Sequence, residues 1–444
     1  FEIRHLMSFF FFFISSIFFY KILKKRFKND FIIFLGTVLY IINPRIFGDS
    51  FHNNKDIFFL SILTISIFFL FKYFEKQNIK SIIFFCLFAA IATSTRIVGI
   101  YLPILLGIFI FIEYLSNKKT LNVLIKTILQ VTFFFIVFLY SHFPYMWELN
   151  ILQFTSWFKV FFYNMGLSIL FNGDYYHIKY LPHLYLPLWI FITTPILVLF
   201  LFVTGFILLF KRFFNRILNI NLSVSPFCDL WRSTNEKKDL FIFTSLTSFM
   251  VFAVFLNVAM LSGWRHFYFL HFFIIYIVVF SLHLIFIFLK KNRINNTFFK
   301  IINLFFIFFI LKDIILFHPY QSLYFNSFIN KKNNVDFPVD TPSLSRAEAL
   351  RFIIQHNRAS SKIFVANASW TPLYNGKDLL SEVDQSRLFF VGQEYNKADY
   401  IYTNFNYEVD PKFNKKYNIP IEFKEIKKKL IKGISIYSIY ERIK

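Results

Sequence analysis

Up to residue 317 the chain is written as apolar runs separated by short polar breaks, and no other feature restricts its fold as much. The runs lie at 7–21, 31–44, 57–74, 80–94, 98–115, 121–141, 185–210, 239–258, 267–289 and 300–317. Crossing the hydrocarbon core of a bilayer takes about 20 apolar residues in an α-helix, and these runs meet or approach that length. Backbone in hydrocarbon must satisfy its own hydrogen bonds, so a span of this kind is helical. The expectation is an all-α polytopic membrane bundle of about ten transmembrane helices. Only 16% of the 444 residues are charged and mean hydropathy is +0.54, which excludes an ordinary soluble domain. The 71 phenylalanines read as a compositional bias and not as an aromatic site.

The connections between runs carry orientation. Loops 21–30, 72–80, 113–120, 211–238 and 290–300 hold 20 Lys and Arg, while loops 45–56, 95–97, 142–184 and 259–266 hold 6. The alternation holds at each step, which places the basic set in the cytoplasm and the other set, with everything after residue 318, outside. The formal charge of +23 therefore belongs to loops facing anionic lipid headgroups, and nucleic acid is not an expected partner. Cys86 and Cys228 have no metal-ligand or disulfide spacing, and both are expected to be reduced.

Chemistry is expected on the outer loops. A charge at membrane depth costs several kcal/mol, so each needs a reason. Arg96, in ATSTRIVG, has no acid near it in sequence, and Arg265, in GWRHF, is a second isolated cation on the same side. Either is a snorkelling helix-end residue or part of a phosphate clamp, since guanidinium gives bidentate hydrogen bonds to phosphoryl oxygens. Asp49, His52, Lys55 and Asp56 form the densest titratable cluster. Asp56 or Asp49 would orient or deprotonate an acceptor, or Asp56 would simply favour a helix N-terminus. His266 and Asp174 are further candidates for substrate contact, although Asn172-Gly173-Asp174 is also a turn signal. No metal-ligand spacing appears, and no cofactor is expected.

After residue 318 the composition turns soluble. A helix is expected over 345–356, with Ser345 as its cap, and strands at 362–366, 387–391, 400–403 and 434–440. The division is therefore a membrane domain over 1–317 and a small α+β extracytoplasmic domain over 318–444.

The segments NPRIFGDSFHNNKD (43–56), ATSTRIVG (92–99), YLPLWIFITTP (185–195), GWRHFYFL (263–270) and HPYQSLYFN (318–326) stand in an order that resembles the bacterial relatives of dolichyl-phosphate-mannose protein mannosyltransferases. These are glycosyltransferase family 39-like members of the GT-C class. The resemblance implies an inverting transfer of a sugar from a polyprenyl-phosphate donor to a protein, lipid or glycan acceptor at the outer face of a bacterial plasma membrane. Asp56 resembles the second acidic position of that family, and Arg96 and Arg265 resemble its basic residues near the lipid phosphate. The principal catalytic Asp of the family lies in the first outer loop, and this sequence is read as starting after it. The C-terminal domain departs from the β-trefoil-like insertion of the mannosyltransferases. The alternative is a transporter or flippase for a lipid-linked saccharide. It would string Asp56, Arg96 and Arg265 along a path, whereas an enzyme would gather them at one outward site.

Overall fold

The computed structural model describes residues 2–148, 166–218, 230–255, 258–329, 336–357 and 362–443. Cys228 and parts of the 142–184 and 211–238 loops lie outside these. Two compact units result: Phe1–Phe161 with Thr194–Phe255 and Arg265–Ile315, and Phe162–Thr193 with Leu256–Trp264 and Leu316–Lys444.

The first unit is helical. Its elements are α1 (Glu2–Arg26), α2 (Asp30–Ile41), α3 (Pro44–His52), α4 (Asp56–Lys76), α5 (Ile79–Thr95), α6 (Tyr101–Leu115) and α7 (Leu121–His142). After α8 (Tyr185–Thr193), which belongs to the second unit, come α9 (Ile196–Leu218), α10 (Thr234–Phe255), α11 (Leu270–Lys291) and α12 (Asn296–Leu316). All ten apolar runs are helical, but among the described residues seven helices are long and apolar enough to cross a membrane. The count is eight if α2 and α3, bent by 56°, form one broken span. Helix α5 is shorter, and α12 carries Lys300, Lys312 and Asp313. The run at 185–210 is not one helix. It stops at Thr193 because Pro195 cannot donate its backbone hydrogen bond and crowds the preceding turn.

Helix α11 is the most enclosed, with an unbroken buried stretch from Leu270 to Leu282. Against its Tyr276 lies an ionic cluster that the basic loops conceal in sequence. Asp239, fully buried, accepts from Arg26 Nε at 2.9 Å and Nη2 at 2.7 Å, from Arg212 Nη1 at 3.0 Å and from the Tyr276 hydroxyl at 2.9 Å. Nearby pairs join Lys237 to Glu113 at 2.6 Å and Lys238 to Glu75 at 2.7 Å. Basic residues counted as lipid-facing are here partnered inside the protein, which removes the cost of an unpaired buried charge.

The second unit is α+β. A hairpin of β1 (Ser168–Phe171) and β2 (Asp174–His177) turns on Asn172 and Gly173, both at positive φ, the backbone that a two-residue turn requires. A five-stranded sheet has the order β4 (Leu388–Phe390), β3 (Ile363–Asn367), β5 (Tyr400–Thr403), β7 (Ile434–Arg442), β6 (Phe423–Ile431). Strand β3 runs parallel to β4 and β5, and β7 is antiparallel to β5 and β6. Helix α13 (Arg346–His356) buries Ala349, Leu350 and Ile353. Ser345 stands at its N-cap position, as expected, but its side chain makes no capping bond. Its hydroxyl donates instead to the buried Asp340 at 2.6 Å.

Three sequence motifs meet in this unit. The last carbonyls of α8, orphaned by the helix end, are taken by Asn326, whose side-chain amide donates to Phe191 at 2.6 Å and whose backbone N–H donates to Ile192 at 2.8 Å. The Trp264 indole N–H donates to the Thr193 hydroxyl at 2.8 Å, and Gly263 sits against the Trp189 ring. These residues have structural duties.

Candidate functional site

The first unit gathers at one point the charges that stand isolated in sequence. The local sequence explains how. Asn43 caps α3, with Pro44 in its first turn. Past the end of α3, the Asn53 side-chain oxygen accepts the Asp56 backbone N–H at 2.9 Å, so the loop closes into α4 with Asp56 as first residue. A carboxylate there is favoured by the helix dipole. At the other wall α5 stops at Thr95, and Arg96 adopts extended backbone before a short 3-10 turn over Ile97–Ile100. That turn folds tightly onto α5, where a Cβ on Gly99 would lie 2.5 Å from the Thr93 backbone nitrogen. Gly99 therefore holds Arg96 in place through its lack of a side chain.

Asp56 is only 4% exposed. Its Oδ1 is bonded to Arg96 Nη2, its Oδ2 accepts from Asn53 Nδ2 at 2.9 Å, and Arg265 Nε stands 3.3 Å from Oδ2. The cation with no acid near it in sequence is thus neutralised from forty positions earlier. Both Arg96 and Arg265 have a buried Nε without a hydrogen-bond partner among the described residues. Two guanidinium groups share one carboxylate, so the cluster retains a positive charge.

His266 adds no charge. Burial first, then the fields of Arg96 and Arg265, push its pKa down to about 4 against the pull of Asp56, so it is neutral at pH 7. Lys55 is exposed and contributes its field at the rim. Asp49 is buried and turned away from this use. It hydrogen-bonds the Tyr268 hydroxyl, and burial with the Asp49 charge holds Tyr268 well above the usual phenol range. His52 is exposed and meets His5 edge-on, with ring centroids 5.2 Å apart.

The structure therefore brings together Asp56, Arg96, Arg265 and His266 and leaves His52 at the surface. Asp174 belongs to the second unit, exposed as the first residue of β2, opposite Phe171. Asn53 and Tyr268 escaped the sequence reading. Asn53 stands three residues before an acidic helix start, a capping spacing that makes it recognisable.

Beside the cluster lies an apolar groove of about 550 Å³, lined by Thr93, Ile100, Pro103, Gly107, Phe135 and Met146 among others. Thr93 and Ile100 flank Arg96 in the chain. A Cβ on Gly107 would meet nothing within 4 Å, so this glycine leaves the groove open.

The first unit is thus a helical bundle in which one buried carboxylate binds two arginines. Residues 3–142 match the family model of dolichyl-phosphate-mannose-protein mannosyltransferases. The match supports a membrane glycosyltransferase and spans Asp49, His52, Lys55, Asp56 and Arg96. No curated protein and no solved structure matches the chain. Among the described residues no group of three His, Cys, Asp or Glu side chains is arranged to hold a metal ion.

Proposed function

We propose that the chain transfers a sugar from a polyprenyl-phosphate donor to an acceptor at the outer face of the membrane. The observation that carries this reading is the convergence of Arg96 and Arg265 on Asp56, with an apolar groove lined by Thr93 and Ile100, the near chain neighbours of Arg96, in the same unit. A polyprenyl phosphate has the same two parts, an anionic head and a long apolar chain. In this reading the head is held by the net positive charge of the two arginines and the chain occupies the groove between α6 and α7.

The acceptor hydroxyl oxygen attacks the anomeric carbon, the bond from that carbon to the phosphate oxygen breaks, the polyprenyl phosphate departs with the electron pair, and the hydroxyl proton is taken up by an oxygen of that departing phosphate. Negative charge grows on the leaving phosphate, and preorganised cations stabilise it most where water is excluded. Both oxygens of Asp56 are engaged, so its role is to position the two arginines. Asp49, bonded to Tyr268, supports α3. Neutral His266 limits the repulsion between its cationic neighbours. Convergence on one point, in place of spacing along a path, favours transfer over transport.

Membranes containing the chain should move label from polyprenyl-phosphate mannose or polyprenyl-phosphate glucose to an acceptor. Arg96→Ala and Arg265→Ala should each lower turnover by about 100-fold or more, the scale of losing one preorganised donor, with membrane insertion intact. Normal turnover in both variants would remove the phosphate clamp.

A further inference from the structure

The second unit holds a cleft of about 410 Å³ that the transfer chemistry leaves unused. Its walls are the β1–β2 hairpin, the loop from Phe405 to Lys412, and the sheet face at Lys428 and Ser435. Tyr175, Phe337, Phe405 and Tyr407 supply four aromatic side chains, and Asp410, Lys412 and Lys428 supply the charges. The volume falls within the ~300–1,000 Å³ of small-molecule sites, and the composition, apolar walls with a few convergent polar groups, is the usual one for such sites.

The walls are held before any ligand arrives. Ser168 N–H donates to the Glu408 carbonyl at 2.8 Å, which ties the hairpin to the loop. Gly173 N–H donates to the Asp336 carbonyl at 3.1 Å. Tyr407 packs on Tyr417, ring centroids 4.7 Å apart, and the Glu408 carboxylate is bonded to Lys416 and Tyr417. Asp410 accepts the Lys412 backbone N–H at 2.9 Å, which braces the loop. Lys412 and Lys428 are both exposed.

We infer that this cleft binds a short saccharide carrying an acidic substituent, as the acceptor glycan of the transferase. Aromatic faces are electron-rich, and the C–H faces of a pyranose ring carry the complementary partial charge, while hydroxyl groups need a few fixed polar partners. Four aromatic residues with one carboxylate meet those needs for one or two rings. Two lysines against one aspartate leave a positive balance, which suits a carboxylate or phosphate on the sugar. The assignment to an acceptor rests on the transferase reading; the binding itself does not.

The test uses the full chain in lipid nanodiscs, free of sugar-based detergent, with no donor lipid. Saturation-transfer NMR is recorded with cellobiouronic acid and with cellobiose. The chain should transfer saturation to both, and bind the uronic acid more tightly. Lys412→Glu and Lys428→Glu, at exposed positions that spare the fold, should each weaken cellobiouronic acid by about tenfold and change cellobiose little. Tyr407→Ala should reduce both. Absence of transfer from either sugar, or unchanged uronic acid affinity in both lysine variants, would overturn the saccharide site. Arg96→Ala should keep full binding, so a failed transferase with an intact cleft is told apart from a failed cleft.

Discussion

Replacing Asp239 by Asn removes one charge from the ionic cluster around Tyr276 of α11 while keeping nearly the same shape. In the native fold this carboxylate has no exposure and faces two guanidinium groups whose side chains are 12% and 23% exposed. Asparagine offers one acceptor oxygen and turns an amide N–H₂ toward arginine donors, so two cations lose their neutraliser. Breaking a buried pair from one side costs roughly 3–5 kcal/mol. Because Arg212 keeps some contact with solvent, the lower end, about 3 kcal/mol, is the expected loss. In thermal terms this is a fall of roughly 5 °C in Tm. Cys86, buried with its Sγ 3.5 Å from the Val131 carbonyl, reports unfolding through a maleimide dye once Cys228 is replaced by Ser. Arg212→Gln should cost less, since Arg26 remains bidentate on the carboxylate. A shift below roughly 1 °C for Asp239→Asn, or an equal shift for Arg212→Gln, would refute this account of the cluster.

Gly107→Leu should fill the groove beside Arg96 and raise the KM for a long polyprenyl donor more than for a short one; equal KM values would show that the groove is not used. Burial raises the Asp340 pKa to about 6 from 3.8, so this carboxyl holds its proton better folded than unfolded. Its contribution, on the order of 3 kcal/mol, is complete below pH 3.8 and is lost as pH climbs through 6. Melting of the second unit, followed by fluorescence between pH 4 and 7, should show this slope, and Asp340→Asn should abolish it. Gly263→Ala should cost about 1–2 kcal/mol, because φ is +67° and the added carbon would stand 3.1 Å from the Trp189 ring; a melting temperature equal to that of the parent would contradict it.

Arg96 and Arg265 could be recognised from sequence because a lone cation among apolar helices must find either an anion or the interface. What sequence could not show was the anion, since Asp56 lies forty residues from Arg96 and its loop must close on Asn53 first. The Asp239 cluster was hidden for a related reason. A tally of Lys and Arg picks out the loops expected in the cytoplasm but ignores the acids that the same helix ends bury. Four of the five strands in the sheet fall where β-branched and aromatic residues suggested them. Strand β6 was missed because FKEIKKKLI carries lysine on both faces, so the alternation of period two is masked. The break at Thr193 had its signal in Pro195, yet the flanking apolar residues continued the run.

The hairpin β1–β2 leans on a carbonyl at Glu408, and α8 is capped by Asn326, so the second unit is assembled from chain segments made far apart in time. During synthesis residues 168–193 emerge long before the strands they belong with. Their exposed aromatic faces must wait, shielded by membrane or chaperone, until the last strand is made. A nonsense mutation within β7 would then leave an early piece of the protein without its partner, and quality control should see the defect far upstream of the stop.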